Sequence, residues 1–407
     1  MAEYHLETLQ NGIRVAHLPY QSNVAYCGIV INCGSSSETE HEQGIVHFIE
    51  HMLFKGTAKR KNYQILNRLE NIGGEINAYT TKEETFIYAA FPKAFLARAT
   101  ELMADITFNS TFPENEIYKE KDVVLDEINS YKDSPYESIH DDFEDLIFKD
   151  HPLGHNILGT EETLEKFNSD DLSRFIRKNY HSNQIVYFVM GDYSFNRVLT
   201  TARKYLEIFP ENYGEPQRNG HFTYKPTYKT LSQETYQVHY ITGNVAPGIH
   251  DDNRHSVYLL NNILGGPGLN SRLNLNLREK NGIAYNIESN YTPFTSNGLI
   301  TIYFGSDKRN LKKSERIIQL ELKKLRETPL SVNQLNIAKR QLIGQLAIGT
   351  ENRENHFLTF GKSILHYNRF DSYQELIERI QSITALQLQE TANFVFNKDQ
   401  LSSLIIL

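Results

Sequence analysis

The chain has 407 residues, 40% of them hydrophobic and 23% charged, with a net charge of −8 and a pI near 6; that length exceeds what one core serves and points to two domains of about 200 residues. Acids and bases are interspersed along it, which argues against a nucleic-acid or anionic-membrane surface, and nothing in the composition suggests disorder. No stretch approaches 18 apolar residues and the opening MAEYHLETLQNGIRV has neither a charged leader nor an apolar core, so a cytoplasmic protein without a membrane span is expected.

In chain order, YHLETLQNGIRVAHL reads as two alternating runs about Asn11-Gly12, a two-residue hairpin signal. A strand over Val24 to Cys33 holds the only two cysteines, Cys27 and Cys33. On one extended strand they lie roughly 20 Å apart, beyond disulfide reach, and read as free core thiols. Gly34-Ser35-Ser36-Ser37 then leads into a helix containing GIVHFIEHMLFKGT. Next come a helix over 62–71, Gly73-Gly74, a hairpin over 75–91, and helices near 94–108, 114–131, 136–149 and 161–179. A strand at 184–190 and a helix at 195–208 close the half, and the polar, turn-rich PENYGEPQRNG of 210–220 reads as a linker.

The second half repeats this order. Gly282 to Glu288, a turn near 294–297, a strand at 299–304 and a helix from Asn310 echo the segment from Gly74 to the helix after Pro92. FPENEIYKEKDVVLDEI (112–128) lies over LSVNQLNIAKRQLIGQL (330–346), with Ile117 over Leu335 and Ile128 over Leu346. The spacing predicts a duplicated α+β unit, divided as 1–213 and 214–407. Differences between the copies then become informative.

On a helix at about 100° per residue, with His47 as zero, His51 falls near 40° and Glu50 near 300°, while Ile45, Phe48, Ile49, Met52 and Leu53 gather on the far side. Histidines at i and i+4 on one face can ligate a single metal, and the intervening glutamate can reach a metal-bound water, the inverted His-x-x-Glu-His arrangement. The plainer alternative is a solvated face that happens to carry two histidines. Such a site needs a third ligand. Over 114–131, Glu120 and Glu127 stand seven apart in a stripe with Val124 and Tyr131, and acids in an apolar stripe are costly unless paired or metal-bound. A solvated helix edge is the alternative there. In the duplicate, Glu127 corresponds to Gln345 and Glu120 to Ala338, and the helix before Gly265 lacks the histidine motif.

GSSSETEHEQGIVHFIEHMLFKGT, then GGEINAYTTKEETFIYA, then the Glu120–Glu127 helix, with 75 residues between His51 and Glu127, resembles the pitrilysin-type inverzincin peptidases over essentially the whole chain. The length resembles the two-domain branch of the mitochondrial processing peptidase beta subunit. The resemblance implies two α/β-roll domains, each an antiparallel-rich sheet packed with helices and related by pseudo-symmetry. It implies one zinc per chain held by His47, His51 and Glu127, with Glu50 as general base and Glu120 orienting a ligand histidine. It also implies that the strand with Asn77, Ala78 and Tyr79 takes an extended substrate through backbone hydrogen bonds; a plain structural strand is the alternative.

In the second half, LREKNGIAY carries Arg278 and Tyr285 at the spacing with which related enzymes hold the substrate carbonyl, although an Arg and a Tyr so placed are commonly structural. Larger family members close four such units around substrate. The implied partner is therefore a second copy, with Arg278 and Tyr285 acting across the interface. GGPGLNSRL (265–273) resembles a shortened form of the glycine-rich loop of the processing peptidases; a simple turn is the alternative. The expected activity is cleavage of internal bonds in short unstructured peptides. A non-catalytic assembly subunit is a second reading, against which the intact His47, Glu50, His51, Glu120 and Glu127 speak, and a heterodimer with an inactive paralogue is a third. His151 and His155 bracket a Pro/Gly loop with no evident third ligand, and His17, His140, His181, His239, His250 and His255 read as ordinary core or surface residues.

Overall fold

The computed structural model describes residues 4–216 and 223–407. In chain order these form β1 (His5–Thr8), β2 (Arg14–Pro19), β3 (Val24–Ile31), α1 (Ile45–Met52), α2 (Asn62–Glu70), β4 (Glu75–Thr80), β5 (Thr85–Pro92), α3 (Leu96–Phe108), α4 (Glu114–Lys132), α5 (Pro135–Ile147), α6 (Glu161–Lys166), α7 (Ser169–Asn179), β6 (Ile185–Gly191) and α8 (Phe195–Leu206). The second half continues with β7 (Tyr228–Leu231), β8 (Val238–Ala246), α9 (Arg254–Gly265), β9 (Ala284–Pro293), β10 (Gly298–Ser306), α10 (Leu311–Glu327), α11 (Val332–Thr350), α12 (Arg353–Tyr367), α13 (Tyr373–Ser382), α14 (Ala385–Val395) and β11 (Ser402–Ile406). The fold is mixed α and β with two sheets, in the orders β1-β2-β6-β3-β5-β4 and β7-β11-β8-β10-β9. Both are antiparallel except where β2 meets β6 and β11 meets β7. Part of the expected linker, 217–220, lies outside the described residues.

Two compact units emerge, and each takes one helix from the far half of the chain. The first comprises residues 1–129, 151–220 and 349–372; the second comprises 130–150, 221–348 and 373–407. In the first unit α3 and α8 cover one face of the sheet. The other face, with Val30, Phe86, Tyr88, Val186 and Phe188, is covered by Phe357, Phe360 and Ile364 of α12. Phe357 stacks on Phe188 at 4.4 Å between ring centroids. Gly361 makes that approach feasible, since a Cβ there would lie 2.5 Å from the Phe188 ring. In the second unit α9, α10 and α14 pack on one face and α5 crosses the other. Two-faced burial explains why β6 and β10 are buried along their whole length and read as continuous apolar runs.

Two local expectations change. The connection after β1 is five residues, with Thr8 opposite Arg14 in the ladder. Leu9 and Ile13 are buried, and the Asn11 amide is drawn inward to the carbonyls of Leu206 and Phe209. With only Gly12 at positive φ (92°), the type I′ turn of a two-residue hairpin, which needs two such residues, does not form. The single helix expected over 161–179 is instead α6 and α7. Asn168 accepts hydrogen bonds from the amides of Asp170 and Asp171 and starts a new helix, as an N-cap asparagine does. Cys27 and Cys33 are both buried and free. Among the described residues no helix is long and apolar enough to cross a membrane.

Candidate metal centre

Helix α1 presents Ile45, Phe48, Ile49 and Met52 to the core, which leaves His47, Glu50 and His51 on the remaining face. Helix α4 buries Ile117, Glu120, Val124 and Ile128. The stripe holding Glu120 therefore meets α1, and Glu127 follows about two turns further on. The outcome is convergence. One ligand atom each from His47, His51 and Glu127 lies within 4.8 Å of the others. The His47 and His51 Nε2 atoms are 3.2 Å apart, and Glu127 Oε2 sits 3.7 Å from the first and 3.6 Å from the second. His51 turns its Nδ1 to Glu120 Oε1 at 2.9 Å, which fixes the tautomer that leaves Nε2 as the metal-facing atom. His47 has its Nδ1 buried without a hydrogen-bond partner among the described residues. Two imidazole nitrogens and a carboxylate converging in this way match the three-ligand set of a catalytic zinc.

The electrostatics agree with that use. Burial, helped by His51, pushes the His47 imidazole down to about 3, so it is neutral and free to donate a lone pair at ordinary pH. For His51 burial works downward, but the hydrogen bond and charge of Glu120, with Glu127 and Glu50, outweigh it and raise the imidazole. Burial raises the Glu50 carboxyl, opposed by Thr80 and His51, the direction that makes a carboxylate a better proton acceptor near neutrality. Glu120 is lowered despite burial, because His51 and Lys55 hold its ionised form. Lys55 Nζ lies 2.5 Å from Glu120 Oε2. Sequence reasoning missed Lys55, although it stands four residues beyond His51, as it missed Thr80.

Beside the cluster, Glu50, His51, Phe54, Lys55, Leu66 and Ile76 line part of a cleft of about 330 Å³. Strand β4 is the outermost strand of its sheet, so its outer backbone edge pairs with no strand among the described residues. Ile76 faces the cleft, whereas Tyr79 stacks on Phe86 at 4.7 Å and packs with the cluster under α12. Alternation gives Asn77 the Tyr79 side and Ala78 the Ile76 side. Of the three strand residues singled out, Ala78 and the backbone edge are what the cleft side offers. In the second unit Arg278, from a π-helical turn over Asn274–Glu279, and Tyr285, at the start of β9, line one cleft of about 540 Å³ with Gly265, Gly266, Pro267 and Glu288. Both are exposed, Tyr285 at 79%. His151 and His155 form no ligand group, as the cluster of His47, His51 and Glu127 is the one such group among the described residues.

A two-unit α/β fold with an inverted histidine pair and a distant glutamate defines a class, and the comparisons agree: the chain belongs to the insulinase family of peptidases, peptidase family M16. Residues 14–161 match that family, and residues 166–342 match the description "Peptidase M16 inactive domain". An uncharacterized zinc protease of Bacillus subtilis, YmxG, is 32% identical over 406 residues, covering 98% of this chain and 97% of that protein. An uncharacterized zinc protease of Rickettsia bellii is 31% identical over 405 residues, covering 99% and 97%. Among solved structures, a protease from Helicobacter pylori superposes with a TM-score of 0.90 at 20% identity, over 100% of this chain and 99% of that one. A Pseudomonas fluorescens peptidase M16 inactive domain gives 0.91 at 20% identity, over 99% and 98%. The pitrilysin-type resemblance read from the sequence is borne out at the level of family and fold.

Proposed function

We propose that this chain is a zinc-dependent endopeptidase, with His47, His51 and Glu127 as ligands of one zinc ion and Glu50 as general base. The observation that carries the reading is the approach of three ligand atoms to within 4.8 Å of one another beside Glu50, in a chain whose relatives are named zinc proteases. Zinc, when bound, supplies Lewis-acid polarisation of the scissile carbonyl and brings the pKa of water toward about 7. The protein's own groups do the rest. Glu50 takes the proton of the attacking water and hands it to the leaving amine. Glu120, held by Lys55, keeps His51 in one tautomer and orientation. The free edge of β4, at Asn77 to Tyr79, adds an extended substrate segment by backbone hydrogen bonds, and the substrates are read as short, unstructured peptides cleaved at internal bonds within a clamshell chamber.

Residues 1–213 are read as the zinc-binding half and 214–407 as its homologous non-metal half, each half lending one helix to the other's unit. Arg278 and Tyr285, both exposed on the cleft of the second unit, are read as completing the site of a second copy in a homodimer, donating to the carbonyl oxygen as negative charge develops. Two variants test this. Glu50→Gln should retain zinc and lose about 10²–10⁴-fold in cleavage of a quenched peptide. Mixing Glu50→Gln with Arg278→Ala chains should restore part of the activity that neither shows alone. Retained turnover in Glu50→Gln would remove Glu50 from its role; absence of rescue in the mixture would place Arg278 in the same chain's site or outside catalysis.

A further inference from the structure

Helix α1 is eight residues long, too short to keep its course unaided, so its setting comes from what grips its ends. Its N-cap is Gly44, in the left-handed region at φ 87°, with no side chain to cap the first turn. Two amides there are taken instead by one carboxyl group: Glu38 Oε2 accepts from Gly44 N at 2.9 Å and Oε1 accepts from Val46 N at 2.9 Å. Glu38 is 3% exposed. The turn that carries it, Ser35–Ser37, is tied to the end of the β4 hairpin: Ser35 N donates to Thr81 O at 3.1 Å and Ser36 N to Lys82 O at 2.7 Å. Packing there is so close that a Cβ on Gly34 would lie 2.4 Å from Thr81 O. A continuous path of hydrogen bonds therefore runs from β4 through the turn to Glu38 and into α1.

The other side of the helix start is blocked by chain, since Gly44 abuts the backbone of Leu158 and Gly159 and Gln43 O accepts from Thr163 Oγ1 at 2.7 Å. That contact limits sliding. A two-point grip on the first turn limits rotation about the axis, the motion that matters most here: a rotation of about 20° carries a side-chain atom about 6 Å off axis through about 2 Å, against a tolerance of about 0.5 Å for a working constellation.

We propose that Glu38 is a positioning residue that sets α1 in register with β4, so that the imidazoles of His47 and His51 and the Glu50 carboxyl meet a peptide lying on that strand. The role rests on the metallopeptidase reading above. Glu38→Gln keeps the shape but turns an NH₂ donor toward one of the two amides, and Glu38→Ala removes both acceptors. The test compares them with Val198→Ala, a core truncation in α8 adjusted to the same loss of thermal stability. Zinc-loaded Glu38→Gln should pass its metal to a chromogenic chelator about tenfold faster than the unmodified protein and lose about tenfold in kcat with KM within about twofold. Val198→Ala should match the unmodified protein in both. Hydrogen exchange of residues 44–52 in zinc-stripped protein should likewise accelerate in Glu38→Gln and not in Val198→Ala. If Glu38→Ala does not fold, Glu38→Gln carries the comparison. Equal release and exchange in Glu38→Gln and Val198→Ala would overturn the proposal and leave Glu38 as one more buried support. An unmodified protein without zinc would instead be a failure of the metallopeptidase reading, and exchange of 44–52 alone would then decide for or against Glu38.

Discussion

Strands β4 and β9 hold the same place in their sheets: each is outermost, each pairs antiparallel with the strand that follows, and each is approached through a glycine of positive φ, Gly73 at 73° and Gly282 at 61°. Each has a helix against it, α1 on β4 and α9 on β9. Even the exchanged helices match. In the first unit His366 of α12 lies 2.5 Å from Glu84 in the β4–β5 turn, with Lys362 3.0 Å away. In the second, His140 of α5 lies 3.4 Å from Glu288 on β9, with Tyr136 donating to it at 3.3 Å. The frame is duplicated and the chemistry is not. Where α1 presents two histidines and a glutamate, α9 presents Asn261, whose side chain accepts from Ser289 Oγ at 2.6 Å. Where α4 brings Glu120 and Glu127, α11 has Ala338 and Gln345. The second copy lacks the buried carboxylate of Glu120 together with the histidines, as expected where a buried carboxylate without a cationic partner is costly.

The acid pairs of the two hairpins offer the sharpest break in the likeness. Glu84 is 2% exposed and Glu288 33%. Glu84→Gln should cost about 3–5 kcal/mol in denaturant unfolding, because it strands a buried partner, while Glu288→Gln should cost about 0–1 kcal/mol, in the range of exposed pairs. Similar costs would mean that the two exchanged helices are held alike. The neighbouring His366 and Lys362 hold the Glu84 carboxyl well below the usual range. A carboxyl lowered in the folded state contributes stability above its unfolded value of about 4.3 and loses it as pH falls through the folded value. The gap between unmodified protein and Glu84→Gln should therefore be full at pH 7 and shrink only in strong acid; a gap that closed between pH 6 and 5 would contradict this.

A smaller effect is expected at Glu120, which touches the metal centre through His51. Glu120→Gln should weaken zinc binding about 10–100-fold without abolishing it, as read by competition with a chelator, and unchanged affinity would reduce Glu120 to a partner of Lys55. Smallest of all, Gln345→Glu in the second copy should shift stability by less than about 0.5 kcal/mol and bind no second zinc, since one carboxylate does not restore the missing histidines. A second equivalent of metal would show that the duplicate retains more of the site than its residues suggest.

Much of this was legible because it is local. The 100° periodicity of α1 separates Phe48 and Met52 from His47 and His51, and a seven-residue interval places Glu120 and Glu127 on one stripe. The duplication is legible because Gly73-Gly74 and Asn281-Gly282 punctuate equivalent hairpins. The helix exchange was not legible: the apolar faces of α5 and α12 tell that each must be covered, but not which sheet covers it. Lys55 and Glu38 escaped for the related reason that their partners, Glu120 and the Gly44 and Val46 amides, are chosen by tertiary approach and by a loop path that periodicity does not describe. The break at Phe167-Asn168 could have been read, since Asn168 followed by Asp171 is an N-cap signal.

The central claim is that α1 and α4 together form a metal centre, and it is met most directly by a crystal structure of protein purified without chelator, with diffraction recorded on both sides of the zinc absorption edge. An anomalous peak within about 2.0–2.2 Å of His47 Nε2, His51 Nε2 and a Glu127 oxygen, one per chain and none in the second unit, is the expected result. A map with no peak there, while elemental analysis finds no stoichiometric metal, would contradict the account.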